Sequence, residues 1–320
     1  MKAIIVREFG APEVMKLEEV SPPQPNKNQV LVRVKAAGVN PVDTYIRGGQ
    51  YAAKPNLPFT PGKDAAGIVE AVGEDVKKLE VGNRVYTANS VSGTYAEFAL
   101  CEENQVWALP DIISYEQGAG VFVPFATAYR ALFQKANAEK GETVLVHGAS
   151  GGVGVAAVQW AKNAGLKIIG TASSDDGKTL VKEQGADFVL DHSTDNYLEK
   201  IKEITDGEGV NIILEMLANE NLAKDFEVLA MFGRVVVIGN RGSLDFNPRL
   251  VMGKDAAIYG MSLFNAPSAE FGAIHNAIYE GLSKGFLNPI VGKTFPLAQA
   301  ARAHHEVMET KAFGKIILEV

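Results

Sequence analysis

From Thr143 onward the chain alternates short, wholly apolar runs with amphipathic stretches, and this rhythm narrows its fold more than any other feature. The runs are Thr143–His147 (TVLVH), Leu166–Thr171 (LKIIGT), Phe188–Leu190, Val210–Glu215 (VNIILE), Gly233–Gly239 (GRVVVIG) and Ala256–Leu263. Helical patterning fills the gaps at Val153–Ala164, Lys178–Gln184, Tyr197–Ile204 and Asn221–Leu229. Strands that are apolar on both faces must be covered on both faces, which a parallel sheet flanked by helices provides. This half is therefore expected to be a doubly wound α/β domain.

The stretch before it reads differently. Ala3–Val6, Val30–Val34, Ala66–Val72, Arg84–Thr87 and Ala96–Leu100 are short, rich in β-formers and punctuated by Gly and Pro, the pattern of an antiparallel sheet or barrel. After the α/β half come helices at Ser268–Gly281 and Leu297–Glu309 and two isolated strand-like pieces, Val291–Phe295 and Lys315–Val320. Those pieces have no place in the strand–helix alternation and are expected to return to the first sheet. At 320 residues two cores are the expectation. The division read from the sequence is 1–123, then 124–264, with 265–320 rejoining the first domain.

Composition limits the function classes. The hydrophobic share of 47% and charged share of 22% are those of an ordinary globular protein. A net charge of -7 argues against a partner held through a nucleic-acid backbone, which needs a basic face. The amino terminus meets charge at once, unlike a signal peptide, and no apolar run approaches the roughly 18 residues of a membrane span. Cys101 is the single cysteine, so a cysteine-rich metal cluster is excluded and a reducing, cytoplasmic setting is expected.

Gly148-Ala149-Ser150-Gly151-Gly152-Val153-Gly154 directly follows the TVLVH strand and opens a helix. In that context glycines allow a tight turn and close approach to a pyrophosphate, whose charge meets free amides at the helix's positive end. Gly154 would let helix and strand pack closely. A dinucleotide site is expected, with Ser150, Gly151, Gly152, Val153 and Gly154 lining it. An NAD site carries a carboxylate about 20 residues further on. Here Thr171-Ala172-Ser173-Ser174 is small and neutral, which favours a 2′-phosphate beside Ser173, with Lys178, His192 and Tyr197 as donors. Asp175 and Asp176 stand against that choice, since a small register shift would bring either to the ribose.

At this point a resemblance becomes specific. HGASGGVG, AAGVNPVDTYIRGG, PGKDAAGIVEAVGEDV, EMLANENL, GRVVVIGNRG and the ending FGKIILEV, in this order, resemble the zinc-free medium-chain dehydrogenase/reductases, and within them the zeta-crystallin-like quinone oxidoreductases. The resemblance spans essentially the whole chain. It implies a GroES-like, mostly antiparallel β-barrel catalytic domain plus a Rossmann cofactor domain, NADPH as cofactor, and a quinone bound in a cleft between them. Zinc relatives carry a Cys and a His-Glu pair where this chain has Asn40-Pro41-Val42-Asp43 and Gly62-Lys63-Asp64, so no metal is expected. None of the five histidines is spaced for a tetrahedral site, and His304-His305 read as a surface pair.

By the same resemblance Asn40, Asp43, Tyr45 and Tyr51 face the substrate, with Tyr45 also touching the cofactor. The phenols could bond a quinone oxygen or stack on its ring. Phe125 and Thr127 are implied beside the nicotinamide. Further cofactor contacts implied are Asn221, Ile238, Gly239, Asn240, Arg241, Met261, Ser262, Leu263 and Lys315. Quinone reduction needs little beyond holding the ring against the nicotinamide, because the cofactor carries the hard step. Two other readings stay open: an NADPH-dependent reductase of enone or enoyl double bonds, and a cofactor-binding structural or RNA-binding protein with little turnover. Ala256–Leu263, an apolar strand closing an open sheet, would be a hazard if bare, so a homodimer that could pair further into a tetramer is expected.

Overall fold

The structure is a computed structural model that describes residues 1–320. The chain divides into two compact units, Met1–Val123 with Tyr279–Thr310 and Gly314–Val320, and Pro124–Ile278 with Lys311–Phe313.

In the first unit, β1 (Lys2–Val6) and β2 (Met15–Glu19) form a small antiparallel ribbon. Its main sheet has seven strands, six of them in line: β3 (Gln29–Val39), then β4 (Asp64–Val72), β5 (Arg84–Ala88) and β7 (Val106–Ala108) to one side, and β15 (Lys315–Glu319) and β14 (Val291–Pro296) to the other, with β6 (Phe98–Glu102) off this line on β3. The carboxy-terminal strands thus rejoin the first sheet, β15 pairing antiparallel with β3 through Ile316↔Val39. Val30, Val32 and Val34 alternate into the core with Val69, Val85, Tyr95 and Leu318, while Arg33 points out to Glu70. The sequence pattern had shown only the first half of β3, because Lys35, Ala36 and Ala37 blur its alternation.

The second unit holds six parallel strands: β8 (Thr143–Val146), β9 (Lys167–Thr171), β10 (Phe188–Leu190), β11 (Val210–Glu215), β12 (Leu229–Val237) and β13 (Ala257–Gly260). Their spatial order is β10-β9-β8-β11-β12-β13. Read from β8 this is the doubly wound order 3-2-1-4-5-6, whose switch point lies between β8 and β11, where ligands settle at the carboxyl ends of the strands. Val144, Leu145, Val146, Ile212, Ile213 and Leu214 are completely buried, as strands covered on both faces must be. The helix expected to reach Leu229 stops at Asp225. Val228 and Leu229 instead pair with Val210, starting β12 four residues before the expected Gly233. No helix is long and apolar enough to cross a membrane.

Candidate functional site

The glycine turn leaves β8 with Gly148 at φ 56°, in the left-handed region that glycine adopts without strain. Its amide bonds Thr171 Oγ1 at 3.2 Å, and the Ala149 amide bonds the Thr171 carbonyl at 2.8 Å, tying the turn to the end of β9. The Gly152–Ala164 helix then starts at Gly151 with no side chain capping it. Its first amides are available to an anion and its dipole favours one. At Gly154 a Cβ would lie 2.4 Å from the Gly148 carbonyl oxygen and 2.5 Å from Ala149 Cα. Only glycine permits this helix to press against the turn.

At the end of β9, Ser174 caps the Asp175–Gln184 helix by accepting from the Gly177 amide, so both acids, Asp175 and Asp176, fall in the helix's first turn. Lys178 reaches back to Asp175 at 2.8 Å and across to Asp191 at 3.4 Å. His192 is exposed, whereas Tyr197 is buried at the start of its helix. A second cation, which the sequence did not single out, joins them: Lys311 Nζ bonds the Ser173 carbonyl at 3.1 Å. Its neighbour Ala312 accepts from Ser150 Oγ at 2.8 Å, so the 311–313 segment lies against the glycine turn. Lys311 lies just before the FGK ending that carries Lys315.

The loops after β11 and β12 are locked together. The Glu215 carbonyl accepts from Ile238 and Gly239, and the Gly239 carbonyl accepts from Ala218. The Arg241 amide bonds Asn219 Oδ1 at 2.9 Å, Asn240 bonds the Gly242 carbonyl within its own turn, and the Asn221 side chain donates to Glu215 at 3.3 Å. After β13, Met261 bonds the Val237 carbonyl at 3.0 Å, while Ser262 is half-buried and Leu263 buried. Phe125 and Thr127 are 1% and 5% exposed, and the Phe125 carbonyl accepts from Trp160 Nε1. The Phe125 ring is core.

In the first unit Asn40 and Asp43 open the Pro41–Arg47 helix, with the Asn40 amide donating to Asp43 Oδ2 at 2.9 Å. Tyr45 on that helix and Tyr51 beyond it are half-buried. Lys315 is not a solvent-facing cation. Its ammonium is buried and bonds both Asp64 Oδ2, at 2.9 Å, and Asn40 Oδ1. Asp64 also accepts from Asn40 Nδ2 and from the Val123 amide, each at 3.0 Å. Lys63 bonds Asn89 Oδ1 at 2.9 Å, and burial pulls its pKa down.

His304 corrects the reading of a surface histidine pair. Adjacent helix positions point about 100° apart. His304 is therefore 1% exposed against Tyr95, its Nε2 3.1 Å from the phenol oxygen, while His305 lies outside between Glu13 and Glu309.

Burial, then the nearby Asp64 charge, pushes Asp43 up to about 6 from 3.8. The folded unit thus holds a proton that the unfolded chain has lost, so stability from this group falls as pH rises from about 4 to 6. Asp43→Asn is expected to flatten that slope, worth about 1–3 kcal/mol across the window, in denaturant titrations at a series of pH values.

Residues 26–111 match the alcohol dehydrogenase GroES-like domain family, and residues 152–278 match the zinc-binding dehydrogenase family. The human quinone oxidoreductase is 47% identical over 320 residues, covering 99% of this chain and 97% of its own. A quinone oxidoreductase of Pseudomonas aeruginosa is 32% identical, with 99% of each chain covered. The chain belongs to the medium-chain quinone oxidoreductase family. As a member of it, the protein is an oxidoreductase. Its fold matches that of the Escherichia coli quinone oxidoreductase complexed with NADPH, with TM-score 0.90, 31% identity and complete coverage of both chains. A mycobacterial structure complexed with NADPH gives TM-score 0.92 at 32% identity, again over both whole chains.

The zinc in one matching family's description raises a question that the residues answer. A tetrahedral site needs thiolate, neutral imidazole or carboxylate donors. The segments where the family resemblance implies zinc ligands in related enzymes carry Asn40, Lys63 and Asp64, and the Lys315 ammonium already bonds the first and last of these. A divalent cation there would face two ammonium groups. This donor set does not fit zinc.

Proposed function

We propose that this chain is a zinc-independent NADPH:quinone oxidoreductase of the cytoplasm, passing electrons as hydride from NADPH to a quinone. The observation that carries the cofactor part is the Gly148–Gly154 turn, against which the helix packs closely only because Gly154 has no Cβ, and which opens on an uncapped helix end. With NADPH bound through its pyrophosphate there, its nicotinamide would supply the hydride. The amides at the start of the Gly152–Ala164 helix would hold the pyrophosphate, and the loops after β11 to β13 would receive the nicotinamide end. Human and bacterial relatives carrying the quinone oxidoreductase name support the acceptor class.

NADPH over NADH is supported by Lys178 and Lys311 converging on the end of β9. Lys178→Ala and Lys311→Ala are each expected to raise the KM for NADPH about tenfold or more, the worth of one charge-assisted bond, and to leave that for NADH nearly unchanged. Steady-state kinetics with both cofactors and a simple para-quinone checks this, with a parallel enone assay to separate quinone from double-bond reduction. Activity should be indifferent to a chelator. A preference for NADH, or activity restored only by added zinc, would refute the proposal. The edge strand β13, with Tyr259 exposed on it, supports a homodimer. Size-exclusion chromatography with light scattering should then give about twice the 34.2 kDa chain mass.

A further inference from the structure

Where β8 and β11 end side by side at the switch point, three ionisable side chains are sealed in one place. His147 follows β8, Glu215 ends β11 and Asp225 ends the Ala218–Asp225 helix, with exposures of 3%, 0% and 1%. His147 Nε2 lies 2.9 Å from Asp225 Oδ1 and 3.5 Å from Glu215 Oε2. Glu215 Oε1 accepts from the Leu217 amide and the Asn221 side chain. The two remaining oxygens, Glu215 Oε2 and Asp225 Oδ2, are buried without any donor.

Two carboxylates against one imidazole leave a net negative charge in the interior even when the imidazole is protonated. Buried charge of that kind costs several kcal/mol unless it is neutralised. One proton on Glu215, directed toward Asp225, removes the charge and gives both orphaned oxygens a hydrogen bond.

We propose that Glu215 is a protonated positioning residue, sharing its proton with Asp225 beside His147, and that this proton holds the 216–221 turn in the form that receives the nicotinamide end of the cofactor. The positional half of this proposal rests on the cofactor reading above. The linkage is geometric: the Glu215 carbonyl holds the start of the β12 loop, and its carboxyl holds Leu217 and Asn221. A shift of Glu215 therefore moves both loops. Burial, partly offset by His147 and reinforced by Asp225, pushes Glu215 up to about 7. Burial opposes charge on His147, but the bond to Asp225 and the two carboxylates raise its pKa on balance.

A metal does not account for the cluster as well. Two ligands on one tetrahedral zinc, each at about 2.0–2.1 Å, stand about 3.3 Å apart. The 2.9 Å between His147 and Asp225 is a hydrogen-bond length. The titratable neighbours are Tyr197, which interacts with Asp225, Glu215 and Glu227, and His192 beside His147.

Glu215→Gln tests the idea with little risk to folding, because glutamine keeps the Oε1 acceptor and offers an amide proton where the shared proton stood. NADPH affinity, followed by nicotinamide fluorescence from about pH 6.5 to 8.5, should weaken at least about threefold more in the wild type than in the variant. Taking the difference between the two proteins cancels the contributions of His192 and of the cofactor phosphate. Infrared difference spectra without cofactor, wild type minus Glu215→Gln, should show a carboxylic-acid carbonyl band at pH 6 that is lost by pH 9; the subtraction cancels the band of Asp43, and Asp225→Asn should lack the same component. The same pH slope in both proteins, no such band, or a stoichiometric divalent metal lost in Glu215→Gln would each overturn the proposal. A band with no dinucleotide binding at any pH would overturn the cofactor reading and leave the protonation intact.

Discussion

Gly154→Val is expected to reduce NADPH affinity at least about 100-fold and to destabilise the second unit by about 1–3 kcal/mol, the cost of overpacking a tight contact. The cause is steric. A Cβ at this position would meet the Gly148 oxygen at 2.4 Å and the Ala149 backbone at 2.5 and 2.7 Å. Backbone cannot rotate away as a side chain can, so either the turn shifts or the helix start lifts from β8. Both movements separate the amides meant for the pyrophosphate. Gly272→Ala is the control, since nothing lies within 4 Å of its Cβ and it sits inside the Ser268–Lys284 helix. There alanine should leave binding unchanged and add about 0.5–1 kcal/mol through helix propensity. Fluorescence titration with thermal melts on all three proteins checks both parts. Wild-type affinity in Gly154→Val would remove the turn from the cofactor site.

The contrast between these glycines shows what could be read from the residues alone. TVLVH followed by a glycine-rich turn and an apolar helix admits few arrangements, so the parallel sheet and the close packing at Gly154 were both legible. The return of Val291–Phe295 and Lys315–Val320 to the first sheet was legible because neither piece had a local partner. Long-range polar pairing was not. His147 lies far from Glu215 and Asp225 in sequence; the first two read as ordinary strand ends and Asp225 as a position inside the expected Asn221–Leu229 helix, and the winding of the sheet brings the three together. His304 was misplaced for a related reason: a doublet says nothing of which member faces inward, and the partner that buries it, Tyr95, comes from the other end of the chain. Lys311 was missed because its contact is to a backbone carbonyl, which no side-chain pattern marks.

Lys315→Met is expected to cost the most stability of any single charge removal in the first unit, about 3–5 kcal/mol, because it strands a buried carboxylate. Asp64 is completely buried, and without the ammonium it keeps only the Asn40 side-chain amide and the Val123 amide, neither of which carries charge. For a protein of this size the melting temperature should fall by roughly 10 °C. The deficit belongs to the unpaired charge rather than to the lysine stem, since methionine replaces most of its length. Asp64→Asn in the same background should therefore recover more than half of the loss, and a double-mutant cycle gives the coupling directly. Added zinc should recover none of it, because Lys63 still stands among the would-be ligands. If zinc did restore stability to Lys315→Met, Lys63 alone would not keep metal out, and its exclusion from the wild type would rest on the Lys315 ammonium.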